Sequence, residues 1–474
     1  MKTGYRHAAA AAKFARTVAA GHYGSGETPI PGYLYGASGG SFQTIGALEN
    51  TREVWQGFVP MVIGVPMSTP YGFLVRGQTE PMLAAKAEQI QDAILPGGSG
   101  NPYAGLTAAE RTVLEEVIRF GVARPGWEFP EYLMGTWEEQ FPDGIAGYDM
   151  VMSLDPTYAD DFWTKDGYLG TEDSPLGDAV RAKLADMGDT EDSRWAIAVR
   201  WYVRHQLPPA DQGYRGFAQY RDANGEPRYP QRAPVWGPLI TGSVSGNAAY
   251  DGAINAKAII VENLYDADAL PVHADWYAGK IRGSLGAQGF AQNVRLYYND
   301  HADHQERPVD GERAKHLVDW MGIVEQALRD VAAWAEDGVA PPQSTRYSVN
   351  AWTQVTVPAA AAQRRGIQPT VDLSVRGGER AEIAAGQRVQ LRARANTPPG
   401  AGTIVSVAWD CEGDGTFRVQ PLRNPRAWVT VTNQCRYGRP GAYFPAVKVT
   451  AERDGQLGAY AQVQNLDRVR VIVH

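Results

Sequence analysis

The segment Gly36-Ala37-Ser38-Gly39-Gly40 sets a serine hydroxyl among glycines in a G-x-S-x-G spacing. That spacing suits a nucleophile on a sharp strand-to-helix turn, where Gly36 and Gly40 are required because a Cβ would clash. In a chain with 52 Gly the pattern alone is weak, and a glycine-rich bend is the bland alternative. The neighbours strengthen it. "PGYLYGAS" reads as a short strand, and "SFQTIGALENT" has helical spacing of Phe42, Ile45 and Leu48. The Gly39 N–H and the helix N-terminus would then face a developing oxyanion. A serine needs a base, and the base needs an acid. "NLYDADALP" offers Asp266 and Asp268; "NDHADH" offers His301 and His304. His304 is favoured as base because it lies further into its loop, with His301 as the alternative. Asp266 and Asp268 are evenly matched as the acid. The remaining histidines fall on expected helices, at helix ends or at the C-terminus.

These residues need a scaffold. "GFVPMVIGVP" (Gly57 to Pro66) is a continuous apolar run between Gly and Pro, as in a strand buried on both faces. Strand, helix and strand in this order make a βαβ unit. Similar runs recur at Ala256–Leu264 and Asn293–Asp300, and the candidate acids and histidines follow them directly. Between lie residues 78–235, read as a helical cap insertion with Thr107 and Glu110 forming a capping box. "GERAKHLVDWMGIVEQALRDVAAWAEDG" reads as one long helix ending at Gly338. The predicted fold class is α/β, a mostly parallel sheet formed by residues 1–77 and 236–340. A linker follows at 341–366. Residues 367–474 have period-two patterning and regular turns, as in an all-β sandwich.

With those motifs in place, the Gly36–Gly40 turn, the "DADALP…WY" loop and the "DHADH" loop resemble the α/β-hydrolase superfamily. "VEQALRDVAAWAEDGVAPPQST" is similar to the end of the catalytic domain in tannase and feruloyl-esterase-type serine esterases. Tannase-type enzymes carry bridged cysteines beside the nucleophile and the histidine; Ala37 and Asp303 stand there instead. The resemblance implies a Ser-His-Asp esterase working through an acyl-enzyme. It also implies strands ahead of the elbow that the stretch before Ser38 is too short to supply, so an N-terminally incomplete sheet is expected. "VAWDCEGDGTF" and "RYGRPGAYFPAVKVT" resemble the polycystic-kidney-disease (PKD) type of immunoglobulin-like sandwich. Asp410, Glu412 and Asp414 fit a hydrogen-bonded turn better than a calcium loop, since Pro421 occupies the position of the bidentate glutamate. Cys411 and Cys435 are either bridged or two reduced thiols.

Composition bounds the partners. The net charge is −8, with no basic block to bind phosphate backbones or anionic membranes. No apolar run approaches the roughly 20 residues needed to span a bilayer. The alanine-rich start, interrupted by Arg6, Lys13 and Arg16, reads as an amphipathic helix rather than a signal peptide. No cofactor and no metal is expected. The expected partner is a small-molecule or polymeric ester, with a carbohydrate or protein surface for the sandwich. An exported or cell-envelope protein is expected. A serine peptidase of the same fold and a catalytically crippled adhesion protein are the competing functions.

Overall fold

The computed structural model describes residues 4–135, 148–233 and 236–474. The end of the Pro- and Gly-rich loop after Met134, and residues 234–235 closing the expected insertion, lie outside them. Four strands form one parallel sheet in the order β1-β2-β3-β4: β1 (Tyr33–Ser38), β2 (Gly57–Ile63), β3 (Lys257–Asn263) and β4 (Val294–Asn299). All of β2, and all of β3 but Lys257, is buried. The reason is that helices cover both faces. On one side α2 (Gly39–Asn50) and α5 (Val272–Asn293) pack Ile45, Leu48, Tyr277 and Ile281 against Phe58 and Ile260. On the other, α6 (Met321–Glu336) packs Ile323, Val324 and Val331 against Val59, Met61 and Ile259. Strand β1 is half-buried, with Tyr35 exposed, because its outer edge has no partner strand among the described residues. An additional helix, α1 (Gly4–Tyr23), contacts α2.

The chain leaves the sheet after β2 and returns at β3. The described residues between are helical and form a separate aromatic core, with Trp127, Tyr158, Trp201 and Tyr202 fully buried. Two of these helices matter below: α3 (Ser68–Gly77) and α4 (Ala108–Phe120). Thr107 and Glu110 close the capping box at the start of α4.

One expected element is corrected. The helix predicted from Gly311 to Gly338 is broken. A single turn, Gly311–Ala314, is separated from α6 by a non-helical link. The link drives Leu317, Val318 and Trp320 into the core, and Val318 N–H donates to the His301 carbonyl. Asp319 then accepts from the Met321 N–H at 2.9 Å and restarts the helix. Burial of three apolar side chains, Leu317 and Trp320 in different core clusters, outweighs helical periodicity here.

Residues 341–366 are tied down at several points. Thr345 N–H donates to the Leu296 carbonyl, and Gln354 bonds the Ile118 and Val122 carbonyls at the end of α4. Beyond 367, mostly antiparallel strands, with Arg470–Val473 pairing Arg380–Ile383 in parallel, face one another across a core of Leu391, Trp409, Val447, Val449 and Val471. Arg388–Asn396 alternates exposed and buried residues along its whole length. A disulfide joins Cys411 to Cys435. Asp410 accepts from the Gly413 and Gly415 N–H groups, each at 2.8 Å. No helix among the described residues is long and apolar enough to cross a membrane.

Candidate active site

Ser38 ends β1 and α2 begins at Gly39. Its backbone is strained, with φ 53° and ψ −115°, a region costing about 1–3 kcal/mol for a residue with a Cβ. Neighbouring groups hold that conformation. Ser41 Oγ donates to the Ser38 carbonyl at 2.6 Å and accepts from Gly64 N–H at 3.0 Å, tying the turn to the end of β2. The sheet register shifts between Ala37 and Ser38, and Val62 opposite has φ 39°. The fully buried Glu262 pins that irregularity, accepting from Ile63 N–H at 3.0 Å. A Cβ at Gly36 would stand 2.7 Å from the Gly40 carbonyl oxygen, so glycine is required there. Gly40 is a correction. A Cβ on it would meet open space, because it contributes its carbonyl, not its hydrogen, to the crowded point. The Gly39 and Gly40 N–H groups are the free donors of the first turn of α2.

Asp266, three residues past β3, is fully buried. Its Oδ1 accepts from Asp268 N–H at 2.7 Å and Ala269 N–H at 2.8 Å. Its Oδ2 lies 2.7 Å from His304 Nδ1. That bond fixes the Nδ1–H tautomer and leaves Nε2 as the basic nitrogen. Burial alone would lower the His304 pKa. Asp266, with Asp268 and Asp303, reverses this and raises it to about 9.

Asp268 is engaged elsewhere. It pairs with the buried Arg76 guanidinium of α3 and accepts from Tyr132 Oη at 2.9 Å. Burial would raise its pKa, but Arg76 outweighs this and holds the carboxyl below its usual range. His301 is also turned away. It has φ 52°, stacks near Tyr265 and sets Nδ1 3.2 Å from Asn465 Oδ1 in the C-terminal sandwich. So Asp266 and His304 are brought together, while Asp268 and His301 join other networks.

Ser38 follows β1, and Asp266 and His304 follow β3 and β4, all at the carboxyl edge of one parallel sheet. No hydrogen bond joins Ser38 to His304 among the described residues. The strand ends of β1 and β4 are roughly 14 Å apart, so a direct Ser38–His304 contact requires the loop after β4 to reach back across the edge.

Asp266, Asp268 and His304 also form the acidic-histidine cluster whose donor atoms lie within 4.8 Å of one another. Their lone pairs are already taken by Arg76, Tyr132, two backbone N–H groups and each other, so a cation would have to displace a guanidinium. A hydrogen-bonded network is the better description.

Several participants escape sequence reading. Arg313 grips Asp303 through two nitrogens, the shorter contact being 2.8 Å. Asn263 Nδ2 donates to the Asp303 carbonyl at 2.7 Å, and Asn299 Nδ2 to Asn263 Oδ1 at 2.9 Å. These asparagines anchor the His304 loop. Their signal was local: each is a polar residue ending a mostly apolar strand at its carboxyl end. Arg76 and Tyr132 carry no such signal, since they reach Asp268 across 192 and 136 residues.

No protein-family model and no curated protein matches the chain. Among solved structures, an esterase from Aspergillus oryzae is similar over 67% of this chain, at 11% identity and a TM-score of 0.27. The chain spans 62% of that esterase's length. An engineered protein is similar over 88% of this chain and 86% of its own, at 12% identity and a TM-score of 0.15. Likenesses this slight carry no argument, and the site rests on its own geometry.

Proposed function

We propose that the protein is a serine hydrolase of carboxylic esters, built on an α/β-hydrolase-type core with a helical cap and a PKD-like sandwich. The observation that carries this reading is a strained Ser38 at a strand-to-helix turn, on the same sheet edge as a buried Asp266–His304 pair. Ser38 Oγ attacks the ester carbonyl while His304 Nε2 takes its proton. Asp266 holds the imidazolium through Nδ1–H. The Gly39 N–H receives the oxyanion. The tetrahedral adduct collapses, the alcohol leaves with the proton from His304, and an acyl-Ser38 remains. Water, deprotonated by His304, attacks the acyl group and releases the acid. Asp268, tied to Arg76 and Tyr132, positions the Asp266 loop. The ester is a small molecule or a polymer, and the protein is exported.

The test is fluorophosphonate labelling, with hydrolysis of short p-nitrophenyl esters. Wild type is expected to label and turn over, and Ser38→Ala to do neither. Absence of labelling in wild type, or equal labelling in Ser38→Ala, overturns the reading.

A further inference from the structure

A groove of about 750 Å³ lies between α5 and the segment that leaves the sheet after α6. Five arginines line it, Arg215, Arg282, Arg295, Arg346 and Arg365, against one acid, Asp275. This is an anomaly in a chain of net charge −8. Elsewhere the buried arginines meet carboxylates, as Arg76, Arg204, Arg313 and Arg468 do. Here Asp275 is shared by Arg215 at 3.8 Å and the Tyr347 hydroxyl at 2.8 Å. Arg282, Arg295, Arg346 and Arg365 form no ion pair among the described residues. Arg295 is held by backbone carbonyls, including Ala291 at 2.7 Å, and lies 4.5 Å over the Trp334 ring. Arg282 lies 4.2 Å over Phe290. Arg282 and Arg295 are thus positioned without being neutralised.

The groove is elongated. Asp275 and Arg282 lie on α5, a run of roughly 10 Å at helical rise, and Phe290 follows the non-helical kink at Gly286. It ends at Arg295, the second residue of β4, at the sheet edge opposite His304. We propose that this groove binds an extended acidic oligosaccharide, a chain of uronate units whose carboxylates meet successive guanidiniums. Planar guanidinium matches carboxylate in a two-point fork. Between the arginines the wall is hydroxyl- and amide-bearing, with Gln343, Ser344 and Ser348, which suits sugar hydroxyls; Thr345 is buried and its Oγ1 accepts from Tyr298 N–H. Its apolar side chains, Phe290, Ala291, Val294 and Val349, are outnumbered by polar ones, unlike a hydrophobic helix-binding groove. Its aromatic rings are engaged rather than free for stacked bases: Phe290 lies under Arg282, and Tyr347 packs edge-on with Tyr298.

The test is calorimetric titration of the intact protein and of its Ser38→Ala variant with oligogalacturonate. A neutral malto-oligosaccharide and poly-L-glutamate serve as controls. The uronate is expected to bind both proteins alike, with affinity falling as salt rises, and the neutral glucan not to bind. Arg282→Ala with Arg346→Ala, both exposed side chains, should weaken binding at least about tenfold and leave p-nitrophenyl ester turnover unchanged. No uronate binding, equal binding of poly-L-glutamate, or full affinity in the double variant overturns the proposal. Because Ser38→Ala is read for binding alone, failure of the esterase reading leaves this test intact.

Discussion

His304 sits among three carboxylates, and the chemistry of the site turns on how they divide the work. Asp266 touches the imidazole, Asp268 is neutralised by Arg76, and Asp303 by Arg313. Together they raise the His304 pKa to about 9 despite burial. His304 is therefore protonated near neutrality, and the form able to act as the proposed base grows as pH rises. For wild type, kcat/KM on a short ester is expected to climb toward an apparent pKa near 9. Asp266→Asn removes the nearest negative charge, so the inflection moves to lower pH by roughly 1–3 units. The plateau falls by about 10³–10⁴-fold, because the tautomer and ring orientation are lost. A pH–rate profile of both proteins reads the two effects separately, and an unmoved inflection would show that Asp266 does not set the base. The sign for stability follows the same shift. The raised pKa stabilises the fold fully below the unfolded value of about 6.5, and this is lost as pH rises toward 9.

At the scale of the element, the turn at Ser38 is the strained piece. Gly36→Ala drives a Cβ to 2.7 Å from the Gly40 carbonyl oxygen and 2.9 Å from Thr44 Oγ1. Backbone cannot yield as a flexible side chain can, so α2 must shift. A loss of about 1–3 kcal/mol is expected, with ester turnover falling further than stability because Ser38 moves with the helix. Gly40→Ala meets nothing within 4 Å and should leave the melting temperature nearly unchanged. Thermal melts beside turnover for the two variants check the contrast. The sequence carried much of this level. Runs such as "GFVPMVIGVP" are legible as buried strands because both faces of a parallel sheet demand apolar residues, and Thr107 with Glu110 is legible because a capping box is local. The break before α6 was not legible, since Leu317, Val318 and Trp320 keep an apolar spacing compatible with a helix and only the tertiary core pulls them apart. The pairing of His304 with Asp266 rather than Asp268 was equally hidden, because Arg76 and Tyr132 engage Asp268 from distant segments.

At the scale of the whole molecule, the sandwich is locked to the rest by buried charge. Arg468, in a sandwich strand, pairs with Glu128 from the helical region and lies 2.9 Å from His316 Nδ1. Both side chains of the pair are at most 10% exposed. Burial lowers the Arg468 pKa to about 9, the mark of an ion held far from water. Arg470 adds bonds to the Asp92 and Pro96 carbonyls, and Arg453 grips Asp330 of α6 at 2.9 Å. The sandwich thus touches both the parallel sheet's helices and the helical insertion, and His301, in the loop that carries His304, bonds it through Asn465. Such a pair contributes little net stability over an apolar substitute, but removing one partner strands the other. Arg468→Met therefore leaves Glu128 buried without its cation and should cost about 3–5 kcal/mol. Glu128→Gln combined with Arg468→Met removes both charges and should regain most of that loss. Denaturant titration monitored by tryptophan fluorescence, on the single and double variants, measures the difference. Equal destabilisation in both would mean that the contact is held by packing rather than by charge. Loss of ester turnover in the single variant, restored in the double, would tie docking of the sandwich to the His304 loop.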